Sequence, residues 1–275
     1  AVIFANSVLG ARTAKHPDYL DLFIALTGRA PESGVYLTEN RRPRVVIDVE
    51  LPDNYDDALW PLLGWITGRL APDCVPLLTG LEQTVPSRDD LRALCAAFGT
   101  TSAAPLLHVA GVTPESDLAP VQNADHAKIN QKDIASAWKQ FNNGPEKVDL
   151  VALGSPHFSL EETRQFASLM SGRVKNPETS VIITLGRDIH AAARAEGLVA
   201  QFEAAGVQLI SDLCWCSIVE PVFPKLTQNL MTNSGKYAHY APGLSGRHVR
   251  FGSLSDCAFA AETGHVPADR PAWLR

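Results

Sequence analysis

Apolar residues in this chain fall into short, nearly unbroken runs separated by longer stretches with helical spacing. The runs VIFA (2–5), RVVIDVEL (44–51), VPLL (75–78), PLLHVAG (105–111), VDLVALG (148–154), SVIITLG (180–186), VQLISD (207–212), NLMTN (229–233) and HVRFG (248–252) read as strands. Several are almost entirely Val, Ile and Leu, which suits strands covered on both faces of a largely parallel sheet. Helical segments lie between them, at 18–29, 54–69, 87–98, 132–142, 159–172, 187–205 and 254–263. In 159–172, Ser159 and Glu162 make a capping box, and Phe166, Leu169 and Met170 share one face. This alternation predicts an α/β fold with right-handed crossovers. The stretch 112–131 is polar and aperiodic and reads as a loop. It would join an α/β lobe over 1–111 to a second over 112–275.

Composition narrows the function classes. The 275 residues are 45% hydrophobic, enough for a sizeable core, and carry a formal charge of −6. No basic stripe exists to neutralise phosphates, which excludes a nucleic-acid binder. No apolar stretch approaches the ~20 residues of a membrane span. The opening AVIFANSVLGART lacks a basic n-region and is not a signal peptide. It starts inside an apparent buried strand, so a further upstream portion is expected. Five cysteines, an odd number, argue against a disulfide framework. Free thiols and a cytoplasmic location follow as expectations.

Ligands of α/β sheets collect beyond the carboxyl ends of strands, so the chemistry is sought there. After 2–5 come Asn6, Ser7 and Arg12, an amide, a hydroxyl and a fork able to grip a carboxylate. After 148–154 comes Ser155-Pro156-His157, an imidazole beside a helix start, suited to proton exchange. After 207–212 comes Cys214-Trp215-Cys216, a weak metal signal on its own, because zinc ribbons use C-x-x-C pairs. After 229–233 comes TNSGKYAHY, dense in donors: Asn233, Ser234, Lys236, Tyr237 and His239. Ser253 with Asp256 makes a capping box that puts Cys257 in a first helical turn, where thiolates are stabilised. For most of these residues taken singly, a capped turn or a satisfied core side chain is as good a reading.

Taken in order, NSVLGART, GSPHFSLEE, the D-x-C of Asp212 and Cys214, TNSGKYAHYAPG and GSLSDC resemble the aconitase X family over nearly the whole chain. The run SDLCWCSIVEPVFP is similar to bacterial and fungal members. The resemblance implies aconitase-like layers of largely parallel sheets flanked by helices, with a strand-end active site. It implies an iron-dependent hydro-lyase removing water from a small hydroxy acid. The bacterial branch points to cis-3-hydroxy-L-proline, giving Δ1-pyrroline-2-carboxylate, and the archaeal branch to mevalonate 5-phosphate. Cys214 and Cys257 match two family positions for iron, favoured as [2Fe-2S], with a third cysteine upstream of this span. Ser234, Lys236, His157 and His239 would then serve catalysis, and Asn6, Ser7, Arg12, Asn233 and Tyr237 substrate binding. An N-terminal segment and a small swivelling domain, fused or separate, would complete the enzyme. Two other readings stand beside it: a metal-free lyase or hydrolase built on Lys236, and a non-catalytic subunit completing a partner's site.

Overall fold

The computed structural model describes residues 1–16 and 18–274. The chain forms two compact units, Ala1–Leu51 with Gly64–Gln131, and Pro52–Leu63 with Lys132–Arg275.

The first unit runs through α1 (Val2–Val8), α2 (Asp18–Thr27), two short 3-10 turns, β1 (Val45–Val49), part of α3 (Leu59–Leu70), β2 (Pro76–Thr79), α4 (Arg88–Thr101), β3 (His108–Val109) and β4 (Asp125–Ile129). Its sheet has the order β3-β2-β1-β4, and every pairing is parallel. Val45, Ile47 and Val49 alternate into the core, as period-2 spacing requires. Helix α4 starts at a capping box of Ser87 and Asp90 and buries Leu91, Leu94 and Phe98. It meets α3 backbone to backbone, because a Cβ on Gly64 would stand 2.1 Å from the Leu94 carbonyl oxygen.

The second unit runs through α5 (Gln131–Phe141), β5 (Leu150–Phe158), α6 (Leu160–Leu169), β6 (Ser180–Leu185), α7 (Arg187–Ala195), α8 (Leu198–Ala205), β7 (Gln208–Ser211), β8 (Asn229–Thr232), α9 (Gly235–Ser245), β9 (His248–Phe251) and α10 (Leu254–Thr263). Its sheet has the order β7-β6-β5-β8-β9, again all parallel. Val151 and Leu153 of β5 and Val181 and Ile183 of β6 share a core with Phe166 of α6, Phe202 of α8 and Ala261 of α10. The capping boxes read at Ser159 and Ser253 are both formed.

Four sequence expectations change. Residues 2–5 open a helix rather than a strand, because VIFA continues into NSV with one buried face (Ile3, Asn6, Ser7). Short apolar runs do not separate the two periods. The stretch 112–131 holds β4, a polar edge strand with little apolar signal to betray it. The segment after β8, absent from the expected helices, forms helix α9, with Pro242 inside it. The helix expected over 187–205 breaks into α7 and α8 at Gly197, whose φ of 78° is left-handed.

Candidate functional site

From β5 the second sheet grows to one side through β6 and β7, and then to the other through β8 and β9. Such a reversal opens a crevice outside the carboxyl ends of the two strands that flank it, here β5 and β8.

Midway along β5, where its register with β6 shifts after Leu153, Gly154 has φ 94°, and a Cβ there would stand 2.0 Å from the Thr184 carbonyl oxygen. Only glycine lets the strand turn this close to β6. Ser155 follows, 4% exposed, and its hydroxyl has no protein partner. The Nε2 of His157 lies 2.8 Å from the Leu213 carbonyl oxygen. A carbonyl only accepts, so Nε2 carries the hydrogen in this contact, which leaves Nδ1 as the acceptor nitrogen of that tautomer.

At the end of β8, Ser234 caps α9 and accepts the Tyr237 N–H at 3.0 Å. Its own hydroxyl donates to the Ser155 carbonyl oxygen. The Ser234 side chain is therefore engaged as both donor and acceptor. Lys236 is half-buried in the first turn of α9, which holds no acidic residue. There the helix backbone N–H groups and the ammonium add positive character on one side. Asn233 stands half-buried just before the cap. Tyr237 is buried, and burial, followed by the nearby Cys216 and Cys214 thiols, pushes its phenol pKa well up. His239 is exposed on the same helix, its ring 5.0 Å from that of Tyr240, and partial desolvation lowers its pKa.

Beyond β7, Asp212 adopts a left-handed φ of 61°. It accepts the Arg187 backbone N–H at 3.1 Å and Nε–H at 2.6 Å, and these bonds hold its carboxyl below the usual range. A turn follows in which Ser217 N–H donates to the Cys214 carbonyl oxygen at 2.8 Å. Trp215, between the cysteines, is buried. Its Nε1–H donates to the Leu153 carbonyl oxygen at 2.7 Å, and its ring sits 5.2 Å from that of Tyr237. Cys214 and Cys216 flank this anchor as exposed thiols. Burial and then Cys214 raise the Cys216 pKa, while the neighbouring Lys236 charge opposes them.

Direct contacts thus tie His157, Ser234, Tyr237 and the Cys214 turn together, with Asn233 and Lys236 beside them. Cys257 is placed differently. It is fully buried in the apolar core on α10, and burial, with Asp256 and Asp57 nearby, pushes its thiol pKa well above 9.0. That opposes the thiolate a helix N-terminus favours. Among the described residues, no three His, Cys, Asp or Glu side chains group as metal ligands. The donors of this span do not by themselves fit an iron centre.

In the first unit, the residues of NSVLGART are committed to one another and to the backbone. Asn6 Nδ2 donates to the Thr13 and Pro105 carbonyl oxygens, and its Oδ1 accepts the Thr13 N–H. Ser7 Oγ accepts the Leu107 N–H at 3.0 Å. Arg12 donates to the Tyr36 carbonyl oxygen and to Glu115 at 3.1 Å. The same carboxylate accepts from Nε of the fully buried Arg41 at 2.6 Å. A substrate carboxylate at Arg12 would have to displace Glu115. Arg41 carries no sequence signal beyond its charge. Arg187 and Ser155 were legible only as residues following predicted strands.

Sequence models of the aconitase X first, second and third domains match residues 1–39, 43–139 and 148–263. The chain is 47% identical over 280 residues to a cis-3-hydroxy-L-proline dehydratase of Pseudomonas aeruginosa, and covers 48% of that protein. It is 42% identical over 285 residues to one of Hypocrea jecorina, again covering 48%. All of this chain is covered in both alignments, so it spans about half the length of these relatives. The crystal structure of Thermococcus kodakaraensis aconitase X in its holo-form superposes with a TM-score of 0.84 at 30% identity, over 94% of this chain and 66% of that one. No helix among the described residues is long and apolar enough to cross a membrane.

Proposed function

The chain belongs to the aconitase X family, and on that premise we propose that it supplies one wall of a hydro-lyase site, acting on cis-3-hydroxy-L-proline. The observation that supports the reading is the bond from the Ser234 hydroxyl, at the cap of α9, to the Ser155 carbonyl oxygen, two residues before His157, where the parallel sheet reverses between β5 and β8. It agrees with the 47% identity to a relative of that name.

Dehydration moves one proton and one hydroxide. The proton at the carbon next to the carboxylate leaves to a base, the C–C double bond forms, and the C3–O bond breaks. The leaving hydroxide takes a proton and departs as water. The enamine then tautomerises to Δ1-pyrroline-2-carboxylate. Lys236 and the first N–H groups of α9 face the substrate carboxylate and the charge it gains as the proton leaves. His157 Nδ1 is the acceptor in this wall that can take up a proton and return it. Ser234, with its hydrogen held by Ser155, is a fixed dipole that orients substrate. Asn233 and Tyr237 line the same strand end, and His239, on the exposed side of α9, is assigned the outermost part of the proton route. Asn6, Ser7 and Arg12 keep a binding role only if Arg12 exchanges Glu115 for substrate.

Iron, favoured as [2Fe-2S], belongs to the proposal through Cys214 and Cys257, with further donors from polypeptide outside the matched span. No step above runs through it. The deciding experiment assays the complete protein, including the half its relatives carry beyond this span, with cis-3-hydroxy-L-proline and with mevalonate 5-phosphate, iron quantified in parallel. Turnover of the proline with release of a pyrroline product supports the reading. A clear preference for the phosphate ester moves the chain to the other branch. A product trapped on Lys236 by borohydride sinks the hydro-lyase reading.

A further inference from the structure

Helix α2, Asp18–Thr27, is the part of the fold that its own chain fails to cover. Its sequence DYLDLFIALT is apolar nearly all round. Tyr19, Leu22, Phe23 and Leu26 follow the i, i+3, i+4, i+7 spacing of one helix face, and they are 74%, 50%, 56% and 73% exposed. A helix of this composition belongs inside a protein, and a contiguous apolar stripe of this kind marks an interaction surface.

Three occupants are possible, and charge, area and family membership separate them. A bilayer is disfavoured by charge and length. Helices that lie on membranes carry Lys or Arg on their polar face, and spans need ~20 residues. The ten residues of α2 include no basic residue, and the charged ones are Asp18 and Asp21. A second copy is disfavoured by area. A helix of ten residues is about 15 Å long and ~10 Å wide, far short of the ~800 Å² per partner of a stable interface. The third occupant is polypeptide of the same protein family. The aconitase X first-domain match covers only 1–39 of this chain, the segment that contains α2, while the second- and third-domain matches run over 43–139 and 148–263. The relatives that match throughout are about twice as long.

We propose that the Tyr19, Leu22, Phe23 and Leu26 face of α2 is the docking surface for the remainder of the aconitase X first domain, carried on the same polypeptide as in the relatives of twice this length. The proposal rests on family membership and not on the dehydratase reading, so the two can fail separately. The helix is then an internal element of that domain, and its apolar residues are core.

The test is hydrogen exchange at the α2 amides, compared between this 275-residue chain and the complete protein that includes the first-domain remainder. Protection is expected to rise at least 100-fold in the complete protein. Leu22→Glu with Phe23→Glu is expected to abolish that rise, while the circular dichroism of the 275-residue chain stays unchanged, since both positions are solvent-exposed in it. Equal exchange in the two forms overturns the proposal. So does protection that survives the double substitution. Protection of the isolated chain that depends on its concentration assigns the face to a second copy and overturns it. Protection only on phosphatidylglycerol vesicles assigns it to a membrane, with the same result.

Discussion

At the scale of single residues, the strongest commitments are polar. Arg41 is fully buried, and it is tolerable there because Glu115 takes its Nε–H while the Val35 and Asn6 carbonyl oxygens take its terminal nitrogens. Removing one partner of a buried pair costs more than the pair was worth, since the remaining charge is stranded. Glu115→Ala is therefore expected to destabilise by about 3–5 kcal/mol in urea unfolding. Glu115→Gln should recover part of the loss by keeping an acceptor. A change under about 1 kcal/mol would mean that Arg41 finds other partners. At the strand-end crevice the residue proposed to move the proton is His157. His157→Asn is expected to lower kcat of the complete enzyme by ~10²-fold or more with KM little changed, as removal of a proton-transfer group does. An equal fall in binding alone would make it a positioning residue. For Cys214→Ser, loss of iron from the complete protein supports its place as a donor, whereas full iron content removes it from the set.

At the scale of elements, glycines decide where backbones meet. Gly64 and Gly68 of α3 lie against α4, where added Cβ atoms would stand 2.1 Å from the Leu94 carbonyl oxygen and from the Thr101 hydroxyl. Gly64→Ala gains up to about 1 kcal/mol of helix propensity but must push two helices apart. Overpacking costs about 1–3 kcal/mol, so a net loss is expected, read as a lower urea midpoint at unchanged slope. This balance also explains what the sequence could announce. The run of β6 and the cap at Ser159 carry strong local signals and form as read, the weaker cap at Ser253 also forms, and β5 continues past the expected end at Gly154 to Phe158. β4 carries almost none, because an edge strand with exposed Asp125, His126 and Lys128 has no apolar alternation to display. α9 was hidden because Gly235, Pro242 and Gly243 are poor helix residues. Its N-cap Ser234 and the buried Tyr237, Ala238 and Ala241 form it through packing. The motifs named the residues of the proposed site, but not the bonds that set Ser234 against Ser155 and His157 against Leu213, which cross 79 and 56 residues of sequence. The commitment of Arg12 to Glu115 was not legible, because it crosses 103 residues of sequence.

At the scale of the whole molecule, buried ionisable groups set the pH range in which the fold holds. His108 is buried with its Nε2 2.8 Å from the Arg41 carbonyl oxygen, and burial lowers its pKa from 6.5. The unfolded chain binds that proton first, so stability falls as pH drops below about 6.5. The alkaline limb belongs to the thiols. Burial pushes Cys95 from 9.0 to about 12, and Cys257 moves the same way. Above pH 9 the unfolded chain releases these protons while the folded chain keeps them, so each unit of pH removes stability until the folded thiol itself ionises. For Cys95 alone that is about 2 kcal/mol at pH 10.5. Urea unfolding at pH 8 and at pH 10.5 measures the loss. Cys95→Ala lowers stability at both values by the lost packing, and what matters is the difference between them, which should shrink by about 2 kcal/mol in the variant. If the parent and the variant lose the same amount across this interval, Cys95 is not the titrating group. The alkaline limb then falls to the other groups that burial shifts upward, Cys257 foremost with Tyr237, and Cys257→Ala should flatten it in part. Either thiol titrating here is a protonated core side chain at neutral pH. For Cys257 that state must be given up before it can serve as a donor to iron, so the alkaline limb of a Cys257-dependent fold should vanish in the iron-loaded complete protein.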